Sequence, residues 1–151
     1  MSDCEGMIDV GNKDVTARNA KASGQIHLSR EAFDVLKRGI CPKGDVLITA
    51  RIAAIQAVKS TPTTIPMCHP ITVEGVDVTF DLDEGIPAVT TTVSVRSSGK
   101  TGVEMEALCG VAVSCLTIYD MLKHTGQGMT IQKIRLVEKS GGRRGHYKRS
   151  D

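Results

Sequence analysis

Two alternating segments, Thr72–Leu82 (TVEGVDVTFDL) and Ala88–Arg96 (AVTTTVSVR), constrain this chain more than any other feature. Apolar residues at every second position give a strand one inner and one outer face. Asp83-Glu84-Gly85-Ile86-Pro87 between them is rich in turn formers, so the pair reads as an antiparallel hairpin. Helical patterns flank it. Ser29 is placed to cap Glu31–Gly39, which carries Phe33, Val35 and Leu36 and stops at glycine. Asp45 can cap a longer helix to about Ser60, with Val46, Ile48, Ile52, Ile55 and Val58 at roughly helical spacing. Thr61-Pro62-Thr63-Thr64-Ile65-Pro66 is expected to break that helix. A second long helix is expected from Val103 to about His124, and a last strand over about Thr130–Val137. Residues from about 8 to 28 read as extended with turns. The order β-α-α-β-β-α-β predicts an α+β fold: a ferredoxin-like βαββαβ antiparallel sheet with helices on one face and one extra helix.

The 151 residues are expected to form a single domain over 1–151, with about 1–8 and 140–151 flexible. Apolar residues make up 40% of the chain but aromatics only 3%, so the core must be built from Val, Ile, Leu, Ala and Met. No run of about 18 apolar residues is present, and the acidic N-terminus has no apolar leader pattern. Cys4, Cys41, Cys68, Cys109 and Cys115 form no CxxC pair, which fits reduced thiols in a cytoplasmic protein and no metal site. The last thirteen residues, Lys139–Asp151, hold five Lys or Arg against one Asp. Such a tail suits nucleic acid, a solubilising end or one wall of an anion site. The scarcity of aromatics argues against base-stacking modules.

Three segments could carry chemistry. In Ile65-Pro66-Met67-Cys68-His69-Pro70 the prolines stiffen the backbone around a Cys-His pair. Neighbours in extended chain point to opposite faces, so the pair makes a poor nucleophile dyad. His69 is the better candidate, and bonding to a nearby carbonyl is its plain alternative. Ser98–Gly102 looks like the end of a phosphate-binding loop, but Ser94 stands where that motif needs glycine. Thr101-Gly102-Val103-Glu104 reads as a capping box that uses Glu104 structurally. On the long helix, Asp120 and Lys123 are three apart and share a face. Glu106 and Asp120 are fourteen apart, roughly 21 Å along the axis, too far for one small ligand to touch both in one chain. Two functional clusters therefore imply two sites or one shared between subunits. Single cations, among them Lys13, Arg18, Lys43, Lys59, Lys100, Lys139 and Arg143, are dispersed rather than striped, which suits several phosphates.

Taken together, Asp9-Val10 with Lys13, Lys43-Gly44-Asp45-Val46, Ala50–Ala53, Ile65–Pro70, Gly99–Leu108 (GKTGVEMEAL), Leu116–Lys123 (LTIYDMLK) and Lys139–Gly142 (KSGG) resemble the molybdenum cofactor biosynthesis protein C family, the cyclic pyranopterin monophosphate synthases. The resemblance runs from about Ile8 to Gly145. It implies a cytoplasmic lyase that turns (8S)-3′,8-cyclo-7,8-dihydroguanosine 5′-triphosphate, made by a radical enzyme, into cyclic pyranopterin monophosphate and diphosphate. It also implies a homohexamer, a trimer of dimers with interface sites, no redox cofactor, and no nucleic-acid or membrane partner. A Mg²⁺ ion on the substrate phosphates is compatible with it, without a dedicated carboxylate cage. By position, Asp120, Lys123 and Lys43 match the catalytic groups; Met67, Cys68, His69, Met105 and Glu106 match substrate contacts, and Glu104 would share their pocket. Arg18, Lys59 and Lys139 would hold the triphosphate. The lysines are expected to have pKa values lowered by neighbouring cations. Met67, Arg143-Arg144 and His124 depart from the family's usual residues.

Overall fold

A computed structural model describes residues 5–151; Cys4, and part of the end expected to be flexible, lie outside them. Strand β1 (Thr16–His27) is followed by helices α1 (Arg30–Arg38) and α2 (Val46–Thr64). The hairpin β2 (Val73–Asp83) and β3 (Ala88–Gly99) comes next, then α3 (Glu104–Leu122) with a 3₁₀ turn at Lys123–Thr125. Strands β4 (Thr130–Ser140) and β5 (Tyr147–Lys148) complete the chain. The sheet order is β2-β3-β1-β4-β5 with all pairings antiparallel. Its first four strands form the ferredoxin-like sheet that the element order predicts.

Local signals explain most boundaries. Ser29 Oγ accepts from the Ala32 amide at 3.0 Å and starts α1, while Gly39 at φ 63° ends it in the left-handed conformation. Asp45 Oδ1 accepts from the Ile48 amide at 2.8 Å and starts α2. The hairpin turn is fastened to α1, because Arg30 Nη1 donates to the Glu84 carbonyl at 3.0 Å and Lys37 pairs with the Glu84 carboxylate.

Two expectations need correction, and one strand is additional. Helix α2 does not break at Thr61 but runs through Pro62 to Thr64. The hydroxyls of Thr61, Thr63 and Thr64 bond back to the carbonyls of Ala57 and Ser60 along this last stretch of the helix. The capping box does not form, since α3 begins at Glu104 with Val103 as a cap that makes no side-chain bond. The helix starts too late for the Thr101 hydroxyl to serve it, and Lys139 takes the Glu104 carboxylate. Strand β5 carries no alternating signal. It lies in the tail and pairs Glu138 with Lys148 and Lys139 with Tyr147.

Sheet alternation sorts the residues. Ala20, Ala22 and Ile26 of β1 and Val89, Val93 and Val95 of β3 are buried under the helices, while Asn19, Lys21, Thr90, Thr92 and Arg96 lie on the other face. Helix α3 is the centre of the core. It packs on β1, β3 and β4 and against α2, and Ala107, Val111, Cys115, Ile118 and Leu122 are buried. At the α2–α3 contact a Cβ on Gly110 would stand 3.0 Å from Val58 Cγ2, 3.1 Å from Val93 Cγ1 and 3.4 Å from the Ala54 carbonyl, so a side chain here would require its neighbours to shift. By length and composition Glu104–Thr125 could cross a membrane, but half of it is buried within the protein, as in a core helix. One end of α3 meets the ends of β1, β3 and β4; the other meets the loop before α2.

Candidate active site

At the start of α3, strands β1, β3 and β4 bring residues far apart in sequence together. Lys139 of β4 pairs with Glu104 at 2.8 Å, and Arg18 of β1 donates from Nε to the Gly99 carbonyl at 3.2 Å. Burial pushes the Glu104 carboxyl up, but the hydrogen bond and charge of Lys139, helped by Arg18, outweigh it and hold its pKa below the usual value. Beyond Lys139 the chain turns through Gly141 at φ 97° and Gly142 at φ 78°. A Cβ on Gly141 would overlap the Ala17 carbonyl and one on Gly142 the Arg18 guanidinium, which explains the Lys-Ser-Gly-Gly pattern physically. The result is a cleft of about 650 Å³ with six cations (Lys13, Arg18, Lys100, Lys139, Arg143, Arg144) against two carboxylates, Asp14 and Glu104. That size and charge suit a phosphorylated small molecule.

A little further along α3, Glu106 is 2% exposed. Burial and the charge of Glu104 raise its pKa against the opposing backbone hydrogen bond, so it keeps a proton to higher pH than an ordinary glutamate. The Met67–His69 segment lies beside it. Burial, then the Glu106 charge and Cys109, push the Cys68 thiol up, the opposite of what a nucleophilic cysteine needs. His69 Nε2 donates to the Ile8 carbonyl at 2.6 Å, so the plain alternative for this residue is realised, with a partner 61 residues away. Met67 and Met105 are exposed. Cys41, Cys68, Cys109 and Cys115 are free thiols, and among the described residues no cluster of three or more His, Cys, Asp or Glu is arranged for a metal.

At the far end of α3, Asp120 holds two ammonium groups, one on each carboxylate oxygen. Lys123 Nζ lies 2.8 Å from Oδ1. Lys43 Nζ lies 2.8 Å from Oδ2 and also donates to the Asp120 carbonyl at 3.1 Å. Lys43 is delivered by the Cys41–Gly44 turn that precedes α2. The hydrogen bonds from Lys123 and Lys43 pull the Asp120 pKa down from 3.8 to about 2. The lowered lysine pKa expected from neighbouring cations is not what this chain provides for Lys123. Its contact is a carboxylate, and that bond raises its pKa. Because the folded pKa of Asp120 is depressed, its stabilising contribution is present above pH 3.8 and is lost as pH falls towards 2. Carboxyl-carbon NMR should therefore find the Asp120 midpoint near 2 in the native protein and higher in Lys43→Met; equal midpoints would refute the paired arrangement.

Glu104 and Asp120 both lie on the uninterrupted α3, sixteen residues apart, so the two ends of this site are about 24 Å apart within one chain. Lys59, on the exposed side of α2, lines neither the cleft nor the Asp120 cluster. The sequence assigned no phosphate-holding role to Lys13, Lys100, Arg143 or Arg144 and did not single out Asp14; the cleft collects all five.

The MoaC family model matches residues 7–142. The chain belongs to the MoaC family. It is 50% identical over 141 residues, 93% of this chain and 88% of its relative, to the cyclic pyranopterin monophosphate synthase of Methylobacterium sp. (strain 4-46). It is 48% identical over 145 residues, 96% of this chain and 91% of the relative, to that of Heliobacterium modesticaldum (strain ATCC 51547 / Ice1). A protein of Mycobacterium tuberculosis (strain ATCC 25618 / H37Rv), cyclic pyranopterin monophosphate synthase 3, is 48% identical over 96% of this chain and 81% of its own length. The matched span holds Lys13, Lys43, Asp120, Lys123 and Lys139 and stops before Arg143.

Proposed function

We propose that this chain catalyses the reaction for which its relatives are named, forming cyclic pyranopterin monophosphate in molybdenum cofactor biosynthesis. The observation that carries this reading is the match to those relatives at 48–50% identity across more than nine-tenths of the chain. The substrate is (8S)-3′,8-cyclo-7,8-dihydroguanosine 5′-triphosphate, supplied by a radical enzyme, and diphosphate is the second product. The enzyme is a lyase, cytoplasmic and single-domain, and its proposal involves no resident cofactor.

The residues divide the work by position. Arg18 and Lys139, joined by Lys59 from outside the cleft of a single chain, hold the triphosphate and stabilise the departing diphosphate through charge-assisted hydrogen bonds. Met67, Cys68, His69, Met105 and Glu106 form the wall against the ring system, with Glu104 beside them. Asp120 orients Lys43 and Lys123, which carry protons during ring opening and reclosure. Lys123 enters protonated because Asp120 raises its pKa, so its first act is to donate. A partner subunit that excluded water from the cluster would bring the Lys123 ammonium nearer to release.

The subunits assemble as a homohexamer, a trimer of dimers, in which one site takes its phosphate cleft from one subunit and its Asp120 cluster from another. The separation of the two ends along α3 supports this. So do Ile48 and Ile52 of α2 and Leu116 of α3, each more than half exposed in the single chain. The activity is tested by incubating the protein with the cyclised nucleotide and assaying pterin product and diphosphate together. Equimolar formation of the two is expected. Intact substrate after incubation with folded protein would refute the reading.

A further inference from the structure

The segment Ile8–Lys13 belongs to no helix or strand, yet it is held in place. Internally it turns on the Asp9 carboxylate, which accepts from the Gly11 amide at 2.7 Å, and on the Lys13 amide, which donates to the Val10 carbonyl at 3.0 Å. Externally it is pinned just before that turn and again within it. His69 Nε2 donates to the Ile8 carbonyl at 2.6 Å, and Lys100 Nζ donates to the Gly11 carbonyl at 2.7 Å, across 89 residues. Two residues past the second pin, Lys13 lines the phosphate cleft.

Lys100 differs from its neighbours in this cleft. Lys139 is paired with a carboxylate and Arg18 donates to the end of its own sheet, whereas the ammonium of Lys100 is bonded to the backbone of the strap. A cation on a carbonyl makes a charge-assisted bond, stronger than one between neutral groups. A strap of exposed, irregular chain has little else to hold it.

We infer that Lys100 is a positioning residue: together with His69 it fixes the Ile8–Lys13 strap, so that Lys13 is presented to the phosphates of the substrate. This rests on the proposed function for the identity of the substrate, but not for the mechanics of the strap. The phosphate-loop look of Gly99-Lys100-Thr101 is thereby explained differently. The lysine reaches backwards to a strap and does not wrap an anion, because β3 continues as strand to Gly99.

The test compares full-length wild type, Lys100→Met, Lys100→Arg, Lys13→Met and the Lys13→Met/Lys100→Met double variant. Three quantities are read: KM and kcat on the cyclised nucleotide, affinity for inorganic diphosphate by calorimetry, and amide hydrogen exchange over residues 8–14. Lys100→Met is expected to raise KM and weaken diphosphate binding about tenfold, leave kcat within about twofold, and speed exchange in the strap alone. Lys100→Arg, which still donates to a carbonyl, restores most of the loss. In the Lys13→Met background the Lys100 change adds less than about twofold, because both act through one contact. A full tenfold effect in that background, with strap exchange unchanged, would overturn the inference and make Lys100 a direct phosphate ligand. Faster strap exchange with unchanged diphosphate affinity would overturn it too. If wild-type protein makes no pterin, the proposed function falls, while exchange and diphosphate affinity still decide the role of Lys100.

Discussion

Asp120→Asn is expected to lower kcat by about a thousandfold or more while leaving the fold and substrate affinity nearly intact. The reason is in the geometry. Each oxygen of Asp120 accepts from a different ammonium, Lys123 on Oδ1 and Lys43 on Oδ2. Asparagine keeps the shape but turns one acceptor into an amide that faces a cation with its own protons. It also removes the negative charge that holds the two like charges together, so the lysines separate and Lys123 loses the contact that raises its pKa. Asp120 is more than half exposed, so no core contact is lost and only the exposed ion pairs are weakened; the melting temperature should fall slightly at most. Lys123→Arg separates an acid–base role from a merely structural ion pair. Arginine can keep the bond to Asp120, but it does not give up its proton at any ordinary pH. Loss of turnover in Lys123→Arg with retained folding is therefore expected. Near-native turnover in either variant would remove Asp120 and Lys123 from the chemistry.

Signals that act over a few residues were legible in the chain. The hairpin turn, the Ser29 and Asp45 caps, the Gly39 stop and the i,i+3 pair of Asp120 and Lys123 all follow from neighbouring side chains, and each has its counterpart in hydrogen bonds of the structure. Where reading failed, a distant group or a side-chain bond had altered the local rule. Glu104 has the spacing of a capping residue, but Lys139, 35 positions away, claims its carboxylate. Pro62 has the look of a helix end, but the helix runs on to Thr64, with three threonine hydroxyls bonded back to its carbonyls. Strand β5 is two residues long and has no pattern to read; its pairing with β4 depends on the Gly141–Gly142 turn.

The candidate site divides in the same way. The resemblance of its motifs to a family named Lys43, Asp120 and Lys123 together, but nothing in spacing alone brings Lys43 to a residue 77 positions later. The cleft was harder still. Its cations come from the strap, β1, the turn after β3, β4 and the tail, and only the sheet order β3-β1-β4 makes them neighbours. Charge counted along a chain cannot foresee a convergence that topology creates.

That convergence leaves the cationic cleft and the Asp120 cluster at opposite ends of α3, and the proposed function requires them to meet across a subunit boundary. Asp120→Ala and Lys139→Met chains, each close to inactive alone, should be dissociated, mixed in equal amounts and reassembled. If one site takes Asp120 from one subunit and Lys139 from its neighbour, random assembly leaves both residues intact in about one quarter of the sites. Turnover of the cyclised nucleotide should then return to about a quarter of the wild-type rate. No recovery, in assemblies shown by native mass spectrometry to contain both chains, would contradict the shared site.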